Sequence, residues 1–309
     1  MNNRLLSKGM LVLLILGCCF PAVQTYASSK DPDTLVIGKI SHNPKKHYRY
    51  LKPMVKYAVE RMQDLGIRKG KIRMVRSKEQ LADMVRRGDV DWVTETPIAA
   101  AYLHEKSGAE ILVRKWKKGV PEYHSVFFSL EKSNINKLED LVGKVIALED
   151  PASTSAFYLP VYAMLEKGLR LIKLRNIREK PPADMVGFVF AREEINIATL
   201  VHMGIVDAGA FSNTDWNKED HLPSKYRAKL SIFMRTSPII RAVEMVRQDI
   251  DPAIRKRLEE ILLQAGNDPQ AAPVLHAYQR TKKFDKLSRD QETMIYNLRQ
   301  IMDVVDPVL

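Results

Sequence analysis

Three consecutive hydroxyl side chains, Ser153, Thr154 and Ser155, form the stretch of this chain best suited to chemistry. They lie between an apolar strand-like run at 144–148 and a helix-like run at 156–167. A loop that leaves a strand and opens a helix collects unpaired backbone N–H groups and the positive end of the helix dipole, and hydroxyls add donors. That combination suits a small oxyanion. The plainer reading is that Ser153 or Thr154 caps the helix. Three hydroxyls in a row exceed what one cap requires, which favours the anion site.

Other chemistries find little support. No Gly-x-Ser-x-Gly elbow makes a nucleophile of Ser153 or Ser155, so catalysis ranks last. The seven histidines show no metal-ligand motif, and no cofactor signature is present. Both cysteines, Cys18 and Cys19, fall in the first 27 residues, so a chain starting at Ser28 has no disulfide or thiol chemistry.

The elements that position the hydroxyl loop alternate between strand and helix, the pattern of an α/β protein with mostly parallel sheets. Strands are expected at 34–40, 71–76, 90–94, 111–115, 124–130, 144–148, 185–190, 206–211 and 230–235. Helices are expected at 48–65, 78–87, 98–106, 155–167 and 193–203, with a helical tail from Asp249 onward. Gly88-Asp89-Val90-Asp91 and Gly204-Ile205-Val206-Asp207 stand at equivalent points of two similar successions. Each glycine can end its helix in the left-handed conformation, and each aspartate can tie down the strand that follows. Two lobes of one design are the expectation, with crossings at 111–120 and 232–239 and a cleft between them.

The cleft singles out further residues. The polar loop 41–48 is the first-lobe counterpart of the hydroxyl loop, so Tyr48 or Tyr50 could close over a ligand from the opposite side. Thr96 follows the first Gly-x-Val-Asp strand, where it either faces the cleft or caps a helix before Pro97. Thr214 and Asp215 hold the matching place in the second lobe, to read the far end of a ligand or to cap the next turn. Tyr123 opens the strand after the first crossing, as a hinge or cleft-wall residue. Trp92 and Trp216 are expected to pack.

Residues 1–27 read as an export signal. Arg4 and Lys8 precede an apolar core at 10–20, and Thr25-Tyr26-Ala27 offers a cleavage site. The apolar run falls short of the ~20 residues that span a bilayer. Ile15-Leu16-Gly17-Cys18 has the shape of a lipoprotein site, which makes lipid anchoring at Cys18 the minority reading. The formal charge of +12 admits nucleic acid, anionic membrane or small anions as partners. The densest basic stretch, from Lys167 to Lys180, lacks aromatic interleaving, and export argues against nucleic acid.

On these motifs the chain resembles the substrate-binding proteins of phosphate, phosphite and phosphonate ABC transporters. The matching stretches include Tyr123-His124-Ser125, Leu138-Glu139-Asp140-Leu141-Val142-Gly143-Lys144 and Asp150-Pro151-Ala152-Ser153-Thr154-Ser155, and the two Gly-x-Val-Asp pieces and Ser237-Pro238 fit as well. The resemblance implies a type 2 periplasmic-binding-protein fold, with one lobe from 33–115 and 236–309 and the other from 118–233. It implies a monomer that clamps a small phosphorus oxyanion and delivers it to a membrane permease. The same clam-shell could instead report to a membrane sensor kinase. Two departures stand out: Ala156 replaces the family's glycine, and Glu194 lies near the place where the family tends to carry a histidine.

Overall fold

The computed structural model describes residues 31–309, so the expected signal at 1–27, with Cys18, lies outside the described residues. No helix among the described residues is long and apolar enough to cross a membrane.

Among the described residues the fully buried strand β1 (Thr34–Ile40) comes first, followed by α1 (Pro44–Glu60) and β2 (Lys69–Val75). Next come α2 (Lys78–Arg86), β3 (Trp92–Glu95), α3 (Pro97–Ser107) and β4 (Glu110–Lys115). A first crossing carries β5 (Glu122–Tyr123) and leads into β6 (Ser125–Leu130) and β7 (Val145–Leu148). A single π turn at Thr154–Tyr158 runs straight into α4 (Leu159–Glu166). After β8 (Leu171–Lys173) and β9 (Val186–Phe190) come α5 (Glu194–His202) and β10 (Ala208–Ser212). The short α6 (Asn213–Trp216) and α7 (Ser224–Arg227) precede β11 (Leu230–Arg235). The return crossing holds β12 (Ile239–Ile240) and leads to β13 (Val243–Val246), α8 (Pro252–Ala265) and α9 (Ala272–Ala277). β14 (Phe284–Asp285), α10 (Arg289–Asn297) and α11 (Arg299–Val305) complete the chain.

Two six-stranded sheets result, in the orders β14-β4-β13-β3-β1-β2 and β11-β6-β10-β7-β9-β8. Their central plans are the same. In the first, β2, β1 and β3 run parallel, and β13 lies antiparallel between β3 and β4. In the second, β9, β7 and β10 run parallel, and β6 lies antiparallel between β10 and β11. Each sheet is thus mixed, the second still mostly parallel through β10-β7-β9-β8 and the first mostly antiparallel in its pairings, and one reversed strand in each comes from the crossings. Each crossing delivers the strand that follows it, β6 or β13, in the reverse direction. The crossings themselves pair as a two-stranded ribbon, with Ile239 opposite Tyr123 and Ile240 opposite Glu122.

The strand at Val243–Val246 is a central one that the apolar pattern conceals, because Glu244 interrupts the run. That carboxylate is wholly buried and accepts from the Trp92 Nε1–H (2.6 Å), the Thr94 hydroxyl (2.9 Å) and the Tyr278 hydroxyl. Lys115 Nζ lies 3.5 Å from it. Trp92 accordingly packs in the core, and Trp216 packs its ring against Phe128.

Helix α1 begins at Pro44, a full turn before the expected start, because Asn43 caps it through Lys46 N–H (3.2 Å) and Pro44 suits the first helical position. It ends at Glu60, and a separate 3₁₀ turn at Gln63–Leu65 closes on left-handed Gly66. Most of 41–48 is therefore helix rather than loop. The last helix also departs from the expected division. Leu298, Met302 and Val305 share a core with Phe157, Leu159 and Met164. The tail thus reaches the second sheet's helices, and Asp306 accepts from the Tyr158 hydroxyl (2.7 Å) and from Lys78 (3.2 Å).

The paired Gly-x-Val-Asp motifs do equivalent structural work. Asp91 Oδ2 accepts from the Val36 N–H in β1 at 2.8 Å, and Asp207 Oδ2 accepts from the Val145 N–H in β7 at 2.8 Å. Asp91 is also paired with Arg247 Nε at 3.0 Å. Asp91→Ala leaves a buried N–H without its acceptor and is expected to lower the unfolding free energy by about 1–3 kcal/mol. Asp91→Asn keeps an acceptor and loses less. Denaturant titration of both variants checks this, and equal losses would assign the effect to the Arg247 pair instead.

Candidate functional site

A cavity of about 810 Å³ lies between the two sheets, walled by the crossings, the start of α1 and the π turn. The turn owes its position to local chemistry. Ser153 Oγ accepts from the Ala156 N–H (3.1 Å), so Ser153 is the cap that a plain helix start requires. Tyr158 N–H reaches back to Ser153 O, the five-residue spacing of a π turn, a feature frequent at functional sites. Ser155 O accepts from Ser125 Oγ (2.7 Å), which pins the turn to β6. Thr154 is 1 % exposed, and its hydroxyl has no hydrogen-bond partner. The capping role and the surplus donor therefore fall to different residues.

Cations from the crossings face this turn. Arg241, on the return crossing, is 5 % exposed; its guanidinium lies over the Tyr123 ring at 4.2 Å, and its Nε–H is buried without a partner. Lys117, on the first crossing, is surrounded by positive charge. Burial, then Arg241, Lys39, Lys118 and Lys115, hold its pKa well below the ordinary lysine value. Burial also lowers Lys115 to about 8, against the pull of Glu244. His47 is driven to about 3 by burial and by Lys39, Lys117 and Lys46, so its ring stays neutral, with Nδ1 at 2.6 Å from Ser41 Oγ. Tyr123 is buried among the same groups, beside the Ser155 and Thr154 hydroxyls, and burial raises its pKa.

Acidic groups occupy the other wall. Burial alone would raise the Asp215 carboxyl, but His221, Lys118 and Arg241 hold it well below the usual range. Lys118 Nζ lies 2.9 Å from Asp215, and His221 Nδ1 lies 3.0 Å from Asp215 and 3.6 Å from Glu194. Burial, then Glu194 and Asp150, push the Glu149 carboxyl well up, which favours its neutral form. The ligand atoms of Glu194, Asp215 and His221 lie within 4.8 Å of one another, a spacing that could hold a metal ion. Lys118, and Lys218 at 3.9 Å, already stand against Asp215 where a dication would need room.

Of the residues expected at the site, Ser153, Thr154, Ser155, Tyr50, Thr96, Tyr123, Glu194 and Asp215 line the cavity. Thr96 stands at the cap position of α3 but makes no side-chain cap bond. Tyr48 and Thr214 do not line it. The helix starts early, so Tyr48 projects to solvent two residues round from Tyr50, with 45 % of its surface exposed. Thr214 Oγ1 is instead engaged with Ser212 Oγ at 2.7 Å. Sequence reasoning missed Lys39, Lys117, Lys118, Arg241 and His221. Strained backbone would have offered no sequence signal either. Of five non-glycine residues with positive φ among the described residues, Lys118, Arg192, Gln279 and Arg280 line the cavity, where strain of this kind concentrates.

A family model described as "ABC transporter, phosphonate, periplasmic substrate-binding protein" matches residues 43–292. The chain belongs to that family. Its members are extracytoplasmic transport proteins with the type 2 periplasmic binding fold. Among solved structures, XAC2383 from Xanthomonas citri is 37 % identical over 90 % of this chain and 100 % of its own, with a TM-score of 0.85 in its chloride-bound form. The same protein bound to ATP gives 36 % and 0.84. PhnD1 from Prochlorococcus marinus, in complex with methylphosphonate, shares the fold at 18 % identity, covers 89 % of this chain and 99 % of its own, and has a TM-score of 0.68. The phosphate-import protein PhnD of Mycolicibacterium smegmatis is 27 % identical over 161 residues. That match spans 50 % of this chain and about half the length of the curated relative, 48 %.

An anion bound beside Lys117 favours its charged form and raises its pKa. Binding therefore takes up a proton, and affinity strengthens as pH falls and weakens as pH rises through the bound-state pKa. Calorimetry with a phosphate monoester in buffers of different ionisation enthalpy reads this uptake. It is best done above about pH 8, where the monoester's second ionisation, near 6, is complete. Lys117→Arg stays charged throughout and is expected to abolish the uptake. Identical uptake in both proteins would assign the proton to another group.

Proposed function

We propose that the protein captures a phosphorus oxyanion in this cleft and delivers it to an ABC permease in the membrane, acting as an exported monomer whose residues 1–27 are its signal. One observation carries the reading: two buried donors, Thr154 Oγ1 and Arg241 Nε, lack acceptors beside a lysine hemmed in by cations. Buried donors of this kind are costly to leave unmade, and an oxyanion supplies acceptors and charge together. The phosphate-import name of one relative and the ATP-bound form of another support the phosphorus class. Ser155, Tyr123 and Lys117 complete the proposed head-group site, with Tyr50 and Thr96 closing from the first lobe.

Thr154→Val separates this role from a structural one. Removing an unsatisfied hydroxyl of the same shape leaves the unliganded fold as stable or more so, while affinity falls by about 1.5–3 kcal/mol. A phosphorus oxyanion at about 100 times its dissociation constant should stabilise the wild type by ~2.7 kcal/mol, a shift that thermal melts resolve. If only another anion class shifts the melt, or if Thr154→Val weakens the fold and the binding alike, the assignment fails.

Glu194 tests the other wall. Its carboxylate lines the cavity, with Oε2 3.6 Å from His221 Nδ1. Glu194→Gln is expected to improve affinity for inorganic phosphate relative to an aminoalkylphosphonate, as compared by titration calorimetry. Unchanged affinities for both would place the carboxylate outside the ligand's reach.

A further inference from the structure

The π turn that carries Thr154 and Ser155 is held at its far end by three residues that do not line the ligand cavity. Tyr158 closes the turn: its N–H donates to Ser153 O at 3.0 Å, and the next N–H, that of Leu159, reaches Thr154 O. A shift of Tyr158 therefore shifts Thr154. The Tyr158 hydroxyl donates to Asp306 Oδ1 at 2.7 Å and accepts from Lys78 Nζ at 2.8 Å. Lys78 Nζ also donates to Asp306 Oδ2 at 3.2 Å, so each of the three is bonded to the other two.

These residues come from three parts of the chain. Lys78 opens α2, whose Leu81, Ala82 and Val85 pack with Val36 and Val90 in the first lobe. Tyr158 belongs to the second lobe, and Asp306 follows the last helix of the tail. That tail is anchored in both lobes. On α10, Ile295 shares a core with Leu103 and Ile111, and the Tyr296 ring stacks on His104 with centroids 3.7 Å apart. The Tyr296 hydroxyl accepts from the Ile111 N–H at 3.2 Å. Helix α10 ends at Asn297 and α11 begins at Arg299, with Leu298 between them. Leu298, Met302 and Val305 then pack on the second lobe's Phe157 and Met164, and Leu309 O accepts from Lys173 Nζ at 3.3 Å. The tail thus joins the lobes in addition to the two crossings. The contact around the triad is not solid. A cavity of about 550 Å³ adjoins it, with Ile98 and Tyr102 on the first-lobe side and Pro151 and Ala152, next to the hydroxyl loop, on the other. Hydrogen bonds beside open space can part and be hydrated, whereas a close-packed core resists separation.

We propose that Lys78, Tyr158 and Asp306 form a latch between the lobes that positions the π turn for its ligand. When the lobes part, Lys78 withdraws from Tyr158 and Asp306, and the turn loses the support it draws from the first lobe. The arrangement with the latch made is the one in which Thr154 and the crossing cations converge. The latch therefore raises the population competent to bind, and a bound ligand favours the latch by the same factor. The three are positioning residues that touch no ligand. This deepens the oxyanion reading above and rests on it for the place of the ligand.

Lys78→Met keeps most of the side chain without its charge, and Tyr158→Phe removes only the hydroxyl. Titration calorimetry with methylphosphonate and inorganic phosphate, and small-angle X-ray scattering with and without the probe, test both. Each variant is expected to bind whichever probe the wild type binds at least ~5-fold more weakly. Without the probe each should show a larger radius of gyration than the wild type, and at saturation the profiles should coincide. The double variant should lose little more than the weaker-binding single one, because both changes break one network. Asp306→Asn, at a half-buried position, repeats the measurement should Lys78→Met fail to fold. Weakened binding with an unshifted profile in the absence of probe would reduce the three residues to local support of the turn and overturn the latch. Unchanged affinity would overturn it too, while leaving the oxyanion reading intact. A shifted profile in the variants, with neither probe bound by any of the proteins, would support the latch and sink the oxyanion reading.

Discussion

A cation taken out of water needs a counter-charge, and the floor of this cleft holds more cations than it can pair from within. Lys39 reaches Glu95, Lys118 reaches Asp215 and Lys115 reaches Glu244. Arg241 has no such partner among the described residues, and Lys117, which has none either, is pushed toward its neutral form by burial and the cations around it. The protein's own charges thus compensate part of the site and leave a remainder that only a bound anion can balance. Placing that remainder next to an unpartnered hydroxyl turns a general attraction for anions into a directed one.

The crossings make this possible. Both run between the sheets side by side, and each carries cleft cations within a few residues of its paired ribbon: Lys117 and Lys118 on one, Arg241 on the other. Charges on a hinge stay close to a ligand held by either lobe. The same crossings dictate the sheets, since each delivers one reversed strand to a matched position. The architecture that makes two similar lobes therefore also concentrates positive charge where they meet. Strained backbone at Lys118, Gln279 and Arg280 belongs to the same arrangement, for Lys118 N–H donates to Gln279 O and Lys115 Nζ donates to Gln279 Oε1.

The acidic wall tempers this field. Asp215 and Glu194 share His221, and Glu149 is pushed toward its neutral form. A carboxylate in an anion site repels its ligand unless it is paired or protonated, and the cleft uses both devices. Tyr158 adds a link outward, because it ends the π turn and meets Lys78 and Asp306. The π turn is thereby braced by both the first lobe and the C-terminal tail.

Much of this was legible in the sequence, for local reasons. The hydroxyl triplet and most strands and helices follow from turn chemistry, capping and apolar period, which act over a few residues. Asp91 and Asp207, expected to tie down the strands that follow them, accept instead from Val36 and Val145 in distant strands. Local signals also misled where two of them competed. Asn43-Pro44 is a good helix start, but its polar surroundings read as loop, and that misplaced Tyr48. The strand holding Glu244 was hidden because its carboxylate is satisfied by Trp92, Thr94 and Tyr278 from distant parts of the chain. The sequence by itself determined the fold class, the doubled plan and the turn that offers hydroxyls. Only the tertiary structure decided which cations face that turn and remain unpaired. Pairing is a property of distance across the crossings, and no spacing along the chain encodes it.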